Sequence, residues 1–199
     1  MFKLQIKYLS FFFGIVSILS FFNILYSYYF NLYLNLDTYY FTLIASSILF
    51  ITFFKFGKYD IKSNIFQKIL TIFLGYLLIP LVLSIPFYFS IYNLTFSNSF
   101  FEAISGFTST GFTVFENIKL IDQSLIIWRS STQWIGGLYF LFSIIYLIDI
   151  YDDSFKKTLT NFISFNSTEI LKQAVKIFIL YSSLTILTVS YTHLRAHET

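Results

Sequence analysis

Residues 108–113, with the sequence TSTGFT, combine small hydroxyl side chains with one glycine, Gly111. Glycine and small polar residues can hold an extended backbone whose carbonyl groups turn to one side. Carbonyl oxygens arranged in this way replace the water shell of a monovalent cation in ion filters. The same composition also marks ordinary loops. The cluster alone therefore supports either interpretation.

Ser99 and Glu102 precede this cluster with the spacing of a capping box. In that motif a Ser side chain and a Glu three residues later bond each other's free backbone donors. The spacing predicts a short helix that begins at Ser99 and runs to Gly106. We interpret Glu102 as the helix cap, with bracing of the following loop through backbone amides as the alternative. The helix would point the negative end of its dipole toward a cation.

Residue types that carry other chemistry are scarce. The chain has no cysteine, which excludes disulfides and thiolate metal sites. Asp152 and Asp153 are interpreted as a solvated turn, although an enzyme acting on prenyl phosphates would place acids on such a loop. A multipass membrane enzyme acting on lipid-linked substrates is the alternative function, and a purely structural membrane subunit is a third. We expect no enzyme activity, no cofactor and no resident metal.

Membrane helices are the elements that must position these residues. Hydrophobic residues make up 56% of the chain and charged residues 12%, and the mean hydropathy of +0.71 exceeds that of water-soluble domains. Glycine and proline are few, so the apolar residues form long stretches typical of helices, and a bilayer crossing needs about 20 of them. The sequence predicts an all-α membrane protein with four full spans among five stretches, at residues 8–30, 39–54, 69–92, 124–148 and 175–189.

Lysine positions predict the orientation of these helices. The connections 55–68 and 149–174 are rich in lysine, which places both of them and the N-terminus in the cytoplasm. The apolar stretch 96–106 would reach only ~16 Å as a helix, too short to cross. Non-helical backbone at membrane depth is tolerated only inside protein or beside a watery cavity. The pattern therefore predicts a re-entrant pore helix followed by a filter loop.

Two motifs carry a family resemblance: FFEAISGFTSTG at residues 100–111 and WRSSTQWIGG at residues 128–137. They resemble the first pore repeat of the Trk/Ktr/HKT potassium transporter superfamily, and the two preceding helices fit the TrkH branch best. On this resemblance, residues 1–62 are a two-helix N-terminal region and 63–158 the first helix–pore loop–helix repeat. Residues 159–188 would begin a second repeat, so the chain is expected to be an N-terminal fragment.

The resemblance implies four such repeats around one pore and potassium uptake across the bacterial inner membrane. It assigns the selectivity filter to the backbone carbonyls of Thr108, Ser109, Thr110 and Gly111, with Glu102 as filter support. Glycine at the position of Gly111 goes with potassium selectivity in this superfamily. The expected partners are potassium, a second copy of the protein in a homodimer, and a cytosolic nucleotide-binding regulatory subunit of the TrkA type.

Residues 189–199 resemble one reading frame of a sequencing-library adapter. We interpret them as an assembly artefact, which fits an abrupt break of the apolar helix at Val189. Taken as protein, His193 and His197 lie one helical turn apart beside Glu198 and would suggest a metal site.

Four further residues lie near the predicted outer interface. Arg129 is expected to snorkel to that interface in a structural role. Trp128 and Trp134 are expected to belong to an aromatic belt there. Gly136, with the adjacent Gly137, predicts close packing between helices.

Overall fold

A computed structural model describes residues 7–57, 65–148 and 170–196. Every regular element in these ranges is helical, which confirms the predicted all-α class. The elements are α1 (Lys7–Tyr29), α2 (Leu36–Phe56), α3 (Ile65–Leu83), α4 (Ile85–Tyr88), α5 (Phe96–Phe107), a 3-10 turn (Ile118–Leu120), α6 (Gln123–Ile148) and α7 (Ile170–Ala196). Residues 1–139 and 140–199 form two compact units, and each is described by itself.

Three helical segments are long and apolar enough to cross a bilayer by length and composition: Tyr8–Tyr29, Leu36–Phe56 and Phe66–Tyr88. They correspond to the first three predicted stretches. The other two stretches lie in α6 and α7, and their crossing of a membrane stays a prediction. Helix α5 has 12 residues and is therefore about 18 Å long, too short to cross.

Helices α1 and α2 form an antiparallel pair. The hydroxyl oxygens of Ser17 and Ser46 lie 2.8 Å apart near the middle of the pair. Near the connection 30–35, the hydroxyl oxygens of Tyr28 and Tyr40 are 3.0 Å apart. Numbers rise along α1 as they fall along α2, so the two chains run in opposite directions. A connection this short is typical of antiparallel neighbours.

The predicted stretch at residues 69–92 corresponds to the candidate span Phe66–Tyr88, in which the helix is interrupted at Ser84, between α3 and α4. Pro86 lies in the first turn of α4 and has no backbone N–H to continue the hydrogen-bond ladder of α3. Ser84 keeps the ordinary helical bond from its N–H to the Pro80 carbonyl at 2.8 Å, and its hydroxyl donates to the Leu81 carbonyl at 2.7 Å.

Tyr139 of α6 lies at the centre of the first unit. Its side chain is fully buried, and its hydroxyl donates to the Ile72 carbonyl at 2.8 Å. Its ring centroid lies 4.8 Å from that of Phe12, 4.9 Å from that of Tyr76 and 5.3 Å from that of Phe107. One side chain thus joins α1, α3 and α5 to α6, and it holds α5 at the end from which residues 108–113 emerge.

In the second unit, α7 extends to Ala196. It therefore continues past Val189, where the sequence indicated a break, and the adapter origin of residues 189–199 stays a prediction. Asp152, Asp153 and His197 lie outside the described residues.

Candidate functional site

Helix α5 begins one turn earlier than its capping-box spacing indicated. Its N-cap is Thr95, whose extended backbone (φ −63°, ψ 156°) precedes the helix and whose side chain accepts from the Asn98 N–H at 3.3 Å. Ser99 lies inside the helix and donates its hydroxyl to the Thr95 carbonyl at 3.0 Å. The predicted start at Ser99 is therefore wrong. Thr95 is itself a favoured N-cap residue, which was the available signal.

Glu102 lies within α5 with no exposed surface, so the interpretation of its side chain as the helix cap is wrong. One carboxylate oxygen accepts from the Val114 N–H at 2.9 Å, and both lie 3.1 Å from the donating Thr113 hydroxyl. Arg129 Nε is 2.8 Å from Glu102 Oε1. The carboxylate thus ties the loop after α5 to both α5 and α6.

Arg129 does not snorkel to an interface, because its side chain is only 11% exposed and forms the ion pair with Glu102. Its Nη2 also donates to the Phe112 carbonyl at 3.4 Å. A buried charge is tolerated only when it is paired and hydrogen-bonded. Glu102 is the one charged residue in the apolar stretch 96–106, and Arg129 is the one in 124–148. Because charged residues in apolar membrane segments usually pair with one another, the sequence contained a signal for this ion pair.

The backbone of residues 108–113 leaves α5 through a tight turn. The N–H groups of Thr108, Ser109 and Thr110 donate to carbonyls in the last turns of α5 at 2.8–3.0 Å. Ser109 (φ +55°) and Gly111 (φ +80°) have left-handed conformations, so the predicted extended backbone is wrong at these two positions. A left-handed conformation costs an L-residue about 1–2 kcal/mol, and glycine avoids that cost at position 111.

Carbonyl groups in this segment fall into two sets. The Phe112 carbonyl accepts from the Ser105 hydroxyl at 2.6 Å and from Arg129, and is therefore turned toward α5 and α6. From groups that the structure describes, the carbonyls of residues 108–111 accept no hydrogen bond, and these four residues are exposed. They are available to a ligand.

Glycines allow α5 and α6 to approach closely. A Cβ on Gly136 would lie 1.8 Å from the Phe107 carbonyl oxygen, which confirms the predicted close packing at this residue. A Cβ on Gly106 would lie 2.2 Å from the Thr132 hydroxyl oxygen. Gly136 therefore lets the Phe107 carbonyl at the end of α5 lie directly against α6, and Gly106 makes room for the Thr132 side chain.

Trp128 is fully buried, so its predicted place in an aromatic belt is wrong. Its indole N–H donates to the Leu83 carbonyl at 3.0 Å, at the break between α3 and α4. Trp134 is half-buried, and its place in such a belt stays a prediction.

Polar residues that the sequence did not single out join this site to α1 and α2. Asp122, just before α6, accepts from the Asn35 side chain at 3.1 Å and from the Ser124 hydroxyl. Tyr92 accepts from the Asp122 N–H at 2.7 Å. Asp122 directly precedes a helix, and an acid at that place is the pattern that could have drawn attention to it.

Within the described ranges, no group of three or more His, Cys, Asp or Glu side chains could hold a metal ion. The membrane-enzyme alternative therefore has no candidate metal site among those residues.

Comparison with known proteins gives several partial matches. The chain is 35% identical over 65 residues to an uncharacterized cation transporter of Methanocaldococcus jannaschii, covering 33% of the chain and 14% of that protein. It is 33% identical over 82 residues to the Trk system potassium uptake protein TrkH of Escherichia coli, covering 41% of the chain and 17% of that protein. It is 30% identical over 100 residues to the Trk system potassium uptake protein TrkG of the same organism, covering 46% of the chain and 21% of that protein.

The chain thus spans about a fifth or less of the length of these relatives. No family model matches the chain. No solved structure matches it either. The relatives are named as transport or uptake proteins, in agreement with a transporter rather than an enzyme. These matches confirm the resemblance that the motifs at residues 100–111 and 128–137 indicated: over part of its length, this chain is similar to Trk potassium uptake proteins.

Proposed function

We propose that this chain forms part of the pore of a Trk-type potassium uptake protein, and that the carbonyls of residues 108–111 coordinate the ion. One observation carries the proposal: among the described residues, the carbonyls of the exposed residues 108–111 accept no hydrogen bond, and the buried Glu102–Arg129 ion pair binds the loop that follows them. A filter needs carbonyls that are free yet fixed in place, because they must replace the water shell of the ion.

Helix α5 then acts as a re-entrant pore helix. Its 12 residues are too few to cross a bilayer, and the chain continues from it into irregular backbone. Irregular backbone at membrane depth needs protein around it or a watery cavity beside it. The C-terminal end of α5 would add negative dipole potential where a cation is held.

Residues 1–62 are a two-helix region before the first pore repeat at 63–158, and residues 159–188 open the next repeat. The protein lies in the bacterial inner membrane with its N-terminus in the cytoplasm, as the lysine-rich connections favour. We also propose that it works as a homodimer with a TrkA-type nucleotide-binding subunit. These assignments rest on the family resemblance and are open to test by cross-linking.

The test is complementation of a bacterium that lacks potassium uptake, using the complete native reading frame. The wild type should restore growth at low potassium. Gly111→Ser should lower the preference for potassium over sodium by about tenfold, because the side chain strains a left-handed position by about 1–2 kcal/mol. Gly57→Ser is the matched control, since Gly57 has an ordinary φ of −68° at the end of α2.

Membrane-expressed wild type that neither restores growth nor takes up potassium would contradict the proposal. Equal selectivity of the Gly111→Ser and Gly57→Ser proteins would contradict the assignment of the filter to residues 108–111.

A further inference from the structure

A buried polar cluster joins the α1–α2 pair to the start of α6. We call it the Asn35 cluster, and its members are Asn23, Asn35, Tyr39, Tyr92, Asp122 and Ser124. Asn23, Asn35, Tyr39 and Ser124 are each at most 2% exposed. Polar groups buried to this degree persist when they satisfy one another, and each loss leaves a partner unsatisfied.

Asn35 is the branch point of the cluster. It occupies the N-cap position of α2, yet its side chain makes no capping bond. Its Nδ2 donates to Asp122 at 3.1 Å, and its Oδ1 accepts from the Ile91 N–H at 3.1 Å. Asn35 therefore fixes both chain segments that flank the pore region: the one leading into α5 and the one leading into α6.

Tyr39 makes the second link, from α2 to the first turns of α6. Its hydroxyl lies 2.9 Å from the Ser124 hydroxyl. Ser124 donates its own proton to Asp122, so Tyr39 is the donor in the pair. The ring centroid of Tyr39 is also 6.0 Å from that of Trp128, one turn further along α6. Asn23 of α1 adds a bond to the Ser124 carbonyl at 3.1 Å.

The path continues from α6 to the loop that carries the exposed carbonyls. Arg129 follows Trp128 directly and contacts Glu102 and the Phe112 carbonyl. On the other side of the cluster, the Tyr92 ring lies 5.7 Å from the ring of Phe115. The 108–115 segment is thus reached from the α1–α2 pair along two routes of direct contact.

We infer that Asn35 and Tyr39 are positioning residues for the 108–115 segment, and that the α1–α2 pair thereby influences the ion selectivity of the proposed pore. The selectivity part rests on the proposed potassium pathway. The positioning part rests on the contacts alone.

The test compares Tyr39→Phe and Asn35→Ala with Tyr40→Phe in the complete native protein. Tyr40 is the matched control: it follows Tyr39 on α2, and among the described residues its hydroxyl contacts the exposed Tyr28 hydroxyl and no group of the Asn35 cluster. Potassium-over-sodium selectivity should fall by about twofold to tenfold in the first two variants, the range set by one hydrogen bond, and stay unchanged in the third. Uptake is normalised to the amount of protein in the membrane.

Ser124→Ala supplies a double-mutant cycle. Since both changes remove the same hydrogen bond, Tyr39→Phe should add almost nothing in a Ser124→Ala background. Full additivity of the two effects on selectivity would show that Tyr39 does not act through Ser124, and would overturn this route.

A second readout does not need transport. The 199 residues contain no cysteine, and any cysteine elsewhere in the complete native protein is replaced first, so Phe112→Cys, at a 68% exposed position, can report on the segment through its labelling rate with a membrane-impermeant thiol reagent. The rate should change severalfold with Tyr39→Phe or Asn35→Ala and not with Tyr40→Phe. If neither the labelling rate nor the selectivity changes, the inference is overturned. If the labelling rate changes in a protein that takes up no potassium, the positioning role of Asn35 and Tyr39 stands and the proposed function is rejected.

Discussion

The α1–α2 pair and the contact between α5 and α6 both join two helices, but with different groups. In the first, neutral side chains meet: the Ser17 and Ser46 hydroxyls, and the Phe50 ring 3.3 Å from where a Cβ on Gly14 would lie. In the second, the buried Glu102–Arg129 ion pair joins the helices, and the Phe107 carbonyl of α5 lies against Gly136 of α6. Side chains can shift, whereas backbone and buried charge cannot, so the α5–α6 contact should tolerate far less change.

The largest expected effect is that of Glu102→Gln at the α5–α6 contact. It leaves Arg129, only 11% exposed, without an opposite charge. Breaking one side of a buried pair lowers the free energy of unfolding by roughly 3–5 kcal/mol. Denaturant unfolding of the purified protein in detergent measures the loss. Glu116→Gln, at an exposed glutamate of the same loop, is the control and should leave the unfolding midpoint unchanged; equal midpoints for both variants would refute the difference between the two contacts.

The next effect compares a glycine from each contact. Gly136→Ala places a methyl group 1.8 Å from the Phe107 carbonyl oxygen, so the end of α5 must move. Overpacking of this kind lowers the free energy of unfolding by about 1–3 kcal/mol. Gly14→Ala faces only a ring that can shift, and alanine favours the helix by up to ~1 kcal/mol. Thermal unfolding should therefore give a lower Tm for Gly136→Ala alone, and a similar loss in both proteins would contradict this account.

The smallest effect is that of Ser46→Ala in the α1–α2 pair. It removes the 2.8 Å contact with Ser17, and a polar contact between membrane helices contributes only ~0.6 kcal/mol on average. Ser183→Ala is the control for helix propensity, at an exposed serine whose hydroxyl donates to the Leu180 carbonyl of its own helix. If Ser46→Ala lowered the free energy of unfolding as much as Glu102→Gln, the hydroxyl contacts between α1 and α2 would be as important as the ion pair between α5 and α6.

Helix class and approximate extent could be predicted from the sequence, because apolar length alone decides what a bilayer can hold. Residues 8–30 and 39–54 correspond closely to α1 and α2 for this reason. A short helix before the TSTG cluster could also be predicted, since 96–106 is apolar yet too short to cross. Its start was misplaced because two residues, Thr95 and Ser99, can each serve as an N-cap.

The roles of individual polar and aromatic residues could not be predicted, because the sequence does not show which group each side chain will hydrogen-bond. Trp128 fits an aromatic belt by its place in the sequence, but a carbonyl at the break after α3 binds its indole N–H. Glu102 fits a capping box, but the N–H that it accepts belongs to Val114, twelve residues later. Both partners depend on how separate helices pack, which is a property of the three-dimensional structure.

The break at Ser84 has a consequence for how this span can bend. Around the break, the Leu81 carbonyl accepts from the Ser84 hydroxyl and the Leu83 carbonyl from the Trp128 indole, while the Pro80 carbonyl keeps its ordinary helical bond to the Ser84 N–H. Unpaired carbonyls within hydrocarbon would otherwise draw water inward. The chain can therefore change direction at Ser84 with these carbonyls satisfied by protein groups rather than by water.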